Sequence, residues 1–270
     1  MKYIIDHDLH IHTQRSYCSN NDEQNPQNIL KYGEKNGFTT LCLTDHMWDG
    51  PFYNKSGFYP GQDYEHVSSW LPLPESDKVK MLFGCETDLD KDMNVGVRPE
   101  MMDKFDFIII PINHMHMHGF TISEEGYNSV EVRKETYINR FDKLLDKDLP
   151  FKKIGLAHLT CALGSCDLDI DEVDFYDTIE DETYRYLFEK AVKKGVGIEL
   201  NIGGYENHSP EERVRMLRPY RIAKECGAKF YFGSDSHNPK RFENVKARFE
   251  LIRDELELKE SDKFIIPERK

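Results

Sequence analysis

The stretch from Asp8 to Thr13, DLHIHT, sets two histidines two positions apart in an otherwise apolar run. Alternate side chains of a strand point to one face, so His10 and His12 stand side by side with Cα atoms roughly 6.5–7 Å apart. That spacing suits chelation of one ion. A lone H-x-H pair equally fits a strand whose polar face happens to carry histidines, so the remaining strands have to decide.

Six further apolar runs follow YIIDHDLHIH: TTLCLTDH, KVKMLFGCE, FDFIIIPINH, KKIGLAHL, GVGIELN and AKFYFGSDSH. Amphipathic segments separate most of them. Asn25 and Pro26 start a helix that stops near Gly37. KETYINRFDKLLDKD aligns Tyr137, Phe141, Leu144 and Leu145 on one stripe. From Thr178 onward, Tyr184, Leu187, Phe188 and Ala191 fall at helical spacing before Gly195. Ser209, Pro210 and Glu212 form a capping-box start for one helix running to Gly227, and a last helix carries Phe249, Ile252 and Leu256. This alternation predicts an α/β fold with parallel strands. Seven strands fit a barrel one unit short of eight, and they fit an open doubly wound sheet as well.

No repeat, low-complexity tract or Gly/Ser linker divides the 270 residues, so residues 1–270 read as a single domain. With 36 basic against 49 acidic residues and a net charge of −13, nucleic acid is disfavoured as the main partner, because affinity for it comes from clustered Lys and Arg. The six cysteines lack C-x-x-C spacing and most sit among apolar residues, as in a reduced cytoplasmic protein. The N-terminal apolar run is too short for a signal peptide, and no stretch approaches the roughly 20 apolar residues of a membrane span.

Metal-ligand residue types recur at six of the seven strand ends: His10 and His12, then His46, Glu86, His114, His158, and Asp235 with His237. In parallel α/β folds the carboxyl ends of the strands gather at one mouth, so these residues are expected to converge there. Imidazole mixed with carboxylate points to Zn, Mn or Fe rather than Ca or Mg. Eight ligands exceed what one tetrahedral ion uses, which predicts two or three divalent ions.

Taken in order, DLHIHT, LTDH, GCETD, NHMH, AHLT and GSDSH resemble the signature of the PHP family, named for polymerase and histidinol phosphatase, over nearly the whole chain. The resemblance implies a distorted seven-stranded TIM-like α/β barrel. It also implies a first ion on His10, His12, Glu86 and Asp235, a second on Glu86, His114 and His158, and a third on His46 and His237. Asp235, His237 and Glu86 are the catalytic residues on this reading. In one respect the chain departs from the family: members usually carry Asp or His five or six residues after the second histidine, where this chain has Tyr17 and Cys18. A Cys18 thiolate, or Asp22 reaching in, are the candidate replacements; a weakly held third ion is the other outcome.

Within HMHMH, His114 is favoured over His116 by its family position and its place beside the apolar run. His118, His66 and His208 read as loop histidines, and His7 faces away from the site. Glu199 is a candidate for fixing a histidine tautomer.

Closely spaced metals lower the pKa of a bridging water and stabilise charge on attacking and leaving oxygens, which is hydrolysis chemistry. Only two of the eight ligands are anionic, so three divalent ions leave a cluster of about +4 that calls for an anionic substrate group. The expected reaction is hydrolysis of a small phosphorylated substrate, a phosphomonoester of the histidinol phosphate kind, by a metal-bridged hydroxide. The competing readings are a phosphodiesterase acting on a nucleotide or short oligonucleotide, a non-catalytic metal-binding regulatory module, and an amidohydrolase, for which no strand-end lysine is seen. Arg15, Arg133, Lys134 and Arg241 are candidates for a cationic clamp. The long segment 47–77 is expected to wall a substrate pocket with Trp48, Phe52, Tyr53 or Tyr59. Oligomeric state is not set by the sequence.

Overall fold

A computed structural model describes residues 1–49, 58–125 and 127–268. Seven strands lie in chain order in one sheet: β1 His7–Ile11, β2 Thr40–Leu43, β3 Lys80–Glu86, β4 Phe107–Pro111, β5 Ile154–Ala157, β6 Gly197–Leu200 and β7 Lys229–Phe232. Every neighbouring pair is parallel. The order never reverses, and the two edges meet. Asp235 N donates to His10 O at 2.7 Å, His12 N donates to Ser236 O at 3.1 Å, and Phe232 N donates to His7 Nε2 at 3.1 Å. The row of strands is therefore a nearly closed TIM-like barrel, and the open doubly wound sheet is set aside. His7 is buried at this seam, also bonded to Asp6, and faces away from the mouth as expected.

Helices join the strands: α1 Pro26–Asn36, α2 Tyr64–Ser68, α3 Val130–Asp146, α4 Glu172–Asp177, α5 Asp181–Lys194, α6 Pro210–Met216, α7 Arg218–Glu225 and α8 Val245–Glu255. Asn25 caps α1 through Asn28 N, and Gly37 ends it at φ 69°, a left-handed conformation that glycine adopts without Cβ strain. The Ser209–Glu212 capping box forms, but the helix it opens does not reach Gly227: Pro219, which has no N–H to donate, sits at the start of a second helix, α7. The short helices α2 and α4 were not legible in the periodicity, and His66, expected in a loop, lies on α2.

Two apolar layers hold the barrel. Ile108, Ile110, Leu156 and Ile198 face outward onto Tyr137, Phe141, Leu144, Leu187 and Phe188 of the helices. Leu9, Cys42, Leu82, Phe107, Ile109, Ala157 and Tyr231 fill the interior, with Phe264 joining them. Alternate residues of β4 thus serve opposite layers, as the period of two requires. β1 breaks that alternation through a register shift between Asp8 and Ile11. Asp8 accepts a hydrogen bond from Tyr32 of α1 and Ile11 packs in the outer layer, while the adjacent Leu9 and His10 both face the interior. Below, the interior is apolar; above, it is lined by polar side chains at the carboxyl ends of the strands. Among the described residues no helix is long and apolar enough to cross a membrane.

Candidate metal centre

Four donor atoms from three strand ends meet at the mouth. His10 Nε2 lies 3.0 Å from His12 Nε2, 3.3 Å from Glu86 Oε2 and 3.4 Å from Asp235 Oδ1; His12 Nε2 lies 3.2 and 3.1 Å from the same two oxygens. A tetrahedral ion with ligand distances of about 2.0–2.2 Å has donor-to-donor edges of about 3.3–3.6 Å, close to the spacing seen. Two further groups adjoin. Glu86, His114 and His158 offer donors within 4.8 Å of one another, and so do His12, His46 and His237. Glu86 joins the first two groups, turning Oε2 to one and Oε1 to the other, with His158 Nε2 at 3.3 Å and His114 Nε2 at 3.8 Å from Oε1.

The rings are held by partners behind them. His10 Nδ1 lies 2.7 Å from Glu199 Oε1, whose Oε2 accepts from His158 N at 2.7 Å. His12 Nδ1 lies 2.8 Å from Ser16 Oγ, which donates to Asp45 Oδ1 at 2.8 Å; Asp45 also accepts from Thr13 N and Thr13 Oγ1, each at 2.7 Å. His114 Nδ1 lies 3.0 Å from Asp88 Oδ2, and His158 Nδ1 lies 3.1 Å from Asn113 Oδ1. Each arrangement puts the proton on Nδ1 and leaves Nε2 with a lone pair facing the centre.

Lone pairs of His10 and His12 pointing at each other across 3.0 Å repel unless a cation lies between them. Asp235 Oδ1 is buried with no hydrogen-bond donor among the described residues, although its neighbours are close. Charge tells the same story. Burial disfavours a charged His10, yet Glu199, Glu86 and Asp235 outweigh it and hold its pKa well above the usual histidine range. Burial would push Glu86 and Asp235 up, but the histidines around them, His46 and His10 foremost for Glu86 and His10 and His237 for Asp235, hold both well below the usual carboxylate range. The centre demands positive charge, and imidazole with carboxylate fits divalent transition-metal cations. Two of the donors hold strained backbone: His158 and Asp235 adopt φ 26° and 51°, in the region that disfavours side chains.

All eight expected residues, His10, His12, His46, Glu86, His114, His158, Asp235 and His237, fall in these groups. His46 and His237 group with His12, whose ring stacks on His237 at 3.9 Å between centroids, and His46 Nδ1 also lies 3.0 Å from Glu86 Oε2; among the described residues neither Cys18 nor Asp22 belongs to a group. Cys18 lines the cavity beside His46; Asp22 is exposed. His116 is exposed at the cavity wall and belongs to no group, and His118 pairs with Asp167.

Sequence reasoning missed Ser16, Asp45, Asp88 and Asn113. Asp45 and Asp88 lay inside the quoted LTDH and GCETD, where their position beside a ligand was the available signal. Asn113 likewise stood inside the quoted NHMH, beside His114, whereas Ser16 carries no such signal, since only the tertiary path turns it toward His12.

Of the four proposed cationic clamps, Arg241 alone lines the cavity. Arg133 is buried and donates to the carbonyls of Tyr127 and Gly164, Lys134 pairs with Glu131, and Arg15 stacks over Trp70. The cavity holds about 860 Å³ above the donors, and Tyr59 lines it with Phe58 and Tyr17. Trp48 is buried behind Tyr59 and against Phe120 instead of facing the cavity; Phe52 and Tyr53 lie outside the described residues.

The sequence profile of the PHP domain matches residues 8–203. No curated protein sequence matches the chain. Among solved structures, the histidinol phosphate phosphatase of Lactococcus lactis subsp. lactis Il1403, complexed with zinc, L-histidinol and phosphate, superposes with a TM-score of 0.61 at 15% identity over 94% of each chain. A candidate histidinol phosphatase of Listeria monocytogenes gives a TM-score of 0.59 at 16% identity over 90% of this chain and 99% of its own. At such identities the likeness is one of fold.

Proposed function

The chain belongs to the PHP domain family of metal-dependent phosphoesterases, and from that premise we propose that it hydrolyses a small-molecule phosphomonoester, with histidinol phosphate as the type of substrate. The observation that carries the reading is the Glu86 carboxylate shared by two adjoining donor groups, with His10, His12 and Asp235 on one side and His114 and His158 on the other. Two or three divalent ions held by these residues, Zn, Mn or Fe, supply positive charge for the phosphoryl oxygens and acidity for water.

The chain's own residues do the positioning. Glu199, Ser16, Asp88 and Asn113 fix the imidazoles so that every Nε2 they serve turns inward. Glu86, Asp235 and His237 border the cavity floor, where the reacting atoms of a bound ester would sit. Burial, together with nearby His12, pushes His237 down to about 3, so this imidazole is neutral at pH 7. Its Nδ1 is held 3.0 Å from Asp235 O, which leaves Nε2 for a ligand. Tyr59, Phe58 and Tyr17 offer an apolar wall for the organic part of the ester. The Lactococcus protein, with zinc, L-histidinol and phosphate, supports a substrate of this size.

The test is turnover of 4-nitrophenyl phosphate by metal-loaded protein, compared with bis(4-nitrophenyl) phosphate. Monoester hydrolysis should dominate and should vanish in His10→Ala and in Asp235→Asn. Unchanged turnover in those variants rejects the site, and faster cleavage of the diester reassigns the chain to phosphodiesters.

A further inference from the structure

Beyond the donor groups, the cavity has far more room than a phosphoryl group needs, and its rim is not electrically neutral. The first residues past the end of the site, Asn238 to Phe242, carry two cations, Lys240 and Arg241, three and four positions after His237. This segment is fixed at both ends of its turn. Ser19 Oγ donates to His237 O at 2.7 Å, and Asn238 Oδ1 accepts from Lys240 N at 3.0 Å, with Pro239 between. Both side chains line the cavity and are exposed.

Among the three cations that line the cavity, these two stand apart by the lack of a counter-charge. Arg248, the third cation at the cavity, is paired with Glu206 at 2.8 Å. Among the described residues Lys240 and Arg241 have no ion pair, and Glu243 is the one carboxylate that lines the cavity besides Glu86 and Asp235 at its floor. In a chain of net charge −13, two uncompensated cations held next to a phosphate-seeking centre form a local attraction for negative charge.

We propose that the substrate carries a second anionic group, a phosphate or carboxylate on the organic part of the ester, and that Lys240 and Arg241 bind it. The inference rests on the phosphoester reading and narrows its substrate class away from histidinol phosphate itself, whose organic part carries an amine and an imidazole and no second anion, toward phosphomonoesters with a further anionic group. A guanidinium grips a carboxylate or phosphate through paired N–H donors, and an ammonium adds a point charge. Tyr59 and Phe58 line the same cavity and offer apolar surface to the organic part that joins the two anionic ends.

Calorimetric binding to zinc-loaded protein tests this with four non-hydrolysable probes: phenylphosphonate, 4-carboxyphenylphosphonate, 1,4-phenylenebisphosphonate and 4-(aminomethyl)phenylphosphonate. Both dianionic-ended probes should bind roughly tenfold tighter than phenylphosphonate, beyond the twofold that two equivalent ends give the bisphosphonate, as a charge-assisted hydrogen bond supports. In the Lys240→Ala/Arg241→Ala protein that advantage should fall to within about twofold. A carboxylate probe matching phenylphosphonate while the bisphosphonate stays tight narrows the group to phosphate. Equal affinities throughout, an advantage that survives in the double variant, or preference for the aminomethyl probe overturns the proposal. Turnover of phenyl phosphate, followed in parallel, separates the two levels: turnover without discrimination removes only the second anion site, whereas no turnover and no phosphonate binding removes the phosphoester reading with it.

Discussion

Nδ1 of His10 lies 2.7 Å from Oε1 of Glu199, two fully buried side chains 189 positions apart in the chain. The same carboxylate takes the backbone N–H of His158 on its other oxygen, at 2.7 Å, so one residue of β6 orients parts of two donor groups. Replacing it with glutamine forces an amide N–H₂ toward one of two N–H groups. Glu199→Gln should therefore lower metal affinity by roughly 10- to 100-fold, the usual effect of removing a partner behind a ligating histidine. Metal retained after dialysis against graded chelator measures it; wild-type retention would show that His10 needs no such partner.

How much of this was readable beforehand depends on whether the information is local. Each candidate donor stood at or just past the end of an apolar run, and strand ends converge in any parallel α/β fold, so the gathering of these donors was accessible from position, while the choice of His114 over His116 drew also on the family pattern. Barrel closure was not, because it rests on hydrogen bonds such as Asp235 N to His10 O between residues from opposite ends of the chain, and neither run looks different in an open sheet. Arg133 was misjudged as a clamp candidate because the sequence does not say which way a helical cation turns, and here it points inward to carbonyl groups. Trp48 was misjudged because proximity to His46 in sequence does not say which side of the loop faces the cavity. The break between α6 and α7 stood at Pro219 all along, hidden by good apolar spacing on both sides.

Tyr59 and His114 share Asp88, which accepts the Tyr59 hydroxyl and lies 3.0 Å from His114 Nδ1, with Arg140 Nη2 at 3.9 Å beneath. Burial, then the adjacent Asp88 charge, keeps the Tyr59 phenol well above its usual pKa, so it remains a donor at working pH. The cavity wall is thereby tied to a candidate ligand. Asp88→Asn should weaken metal retention by roughly 10- to 100-fold, and Tyr59→Phe, which keeps the ring and the carboxylate, by no more than about tenfold. Metal content and KM for 4-nitrophenyl phosphate measured on both variants check the order. Full retention in Asp88→Asn would break the proposed link.

Gly233 sits where β7 passes behind the centre, and an added Cβ there would lie 2.0 Å from Glu199 Oε1 and 2.4 Å from His10 Cβ. Both neighbours are buried, so neither can swing into solvent. Gly233→Ala should cost about 1–3 kcal/mol in urea unfolding, the range for overpacking, and should reduce metal retention as Glu199 is displaced. Gly203, with nothing within 4 Å of its Cβ position, is the control: alanine there should change stability by no more than about 0.5 kcal/mol. Equal effects at the two positions would argue against crowding as the cause.

Acid stability carries a separate signature at the foot of the barrel. Burial would raise the Asp6 carboxyl, but the His7 hydrogen bond and Lys263 Nζ at 3.0 Å outweigh it and bring it down to about 2. Burial holds His7 below its usual range, so its neutral Nδ1–H donates to Asp6 while Nε2 accepts from Phe232 N, and the charge comes from Lys263. A carboxylate with a lowered folded-state pKa stabilises the fold above its unfolded value near 4, and that contribution is lost as pH falls from about 4 to about 2. The side chain is 33% exposed, so solvent screening leaves about 1 kcal/mol of it. Asp6→Asn should therefore be about 1 kcal/mol less stable than wild type at pH 7 and equal to it near pH 2. Urea unfolding of both proteins in excess chelator, which removes any metal contribution, reads the difference at each pH. A gap that stays constant from pH 7 to pH 2 would assign the loss to packing and not to the Asp6–Lys263 charge pair.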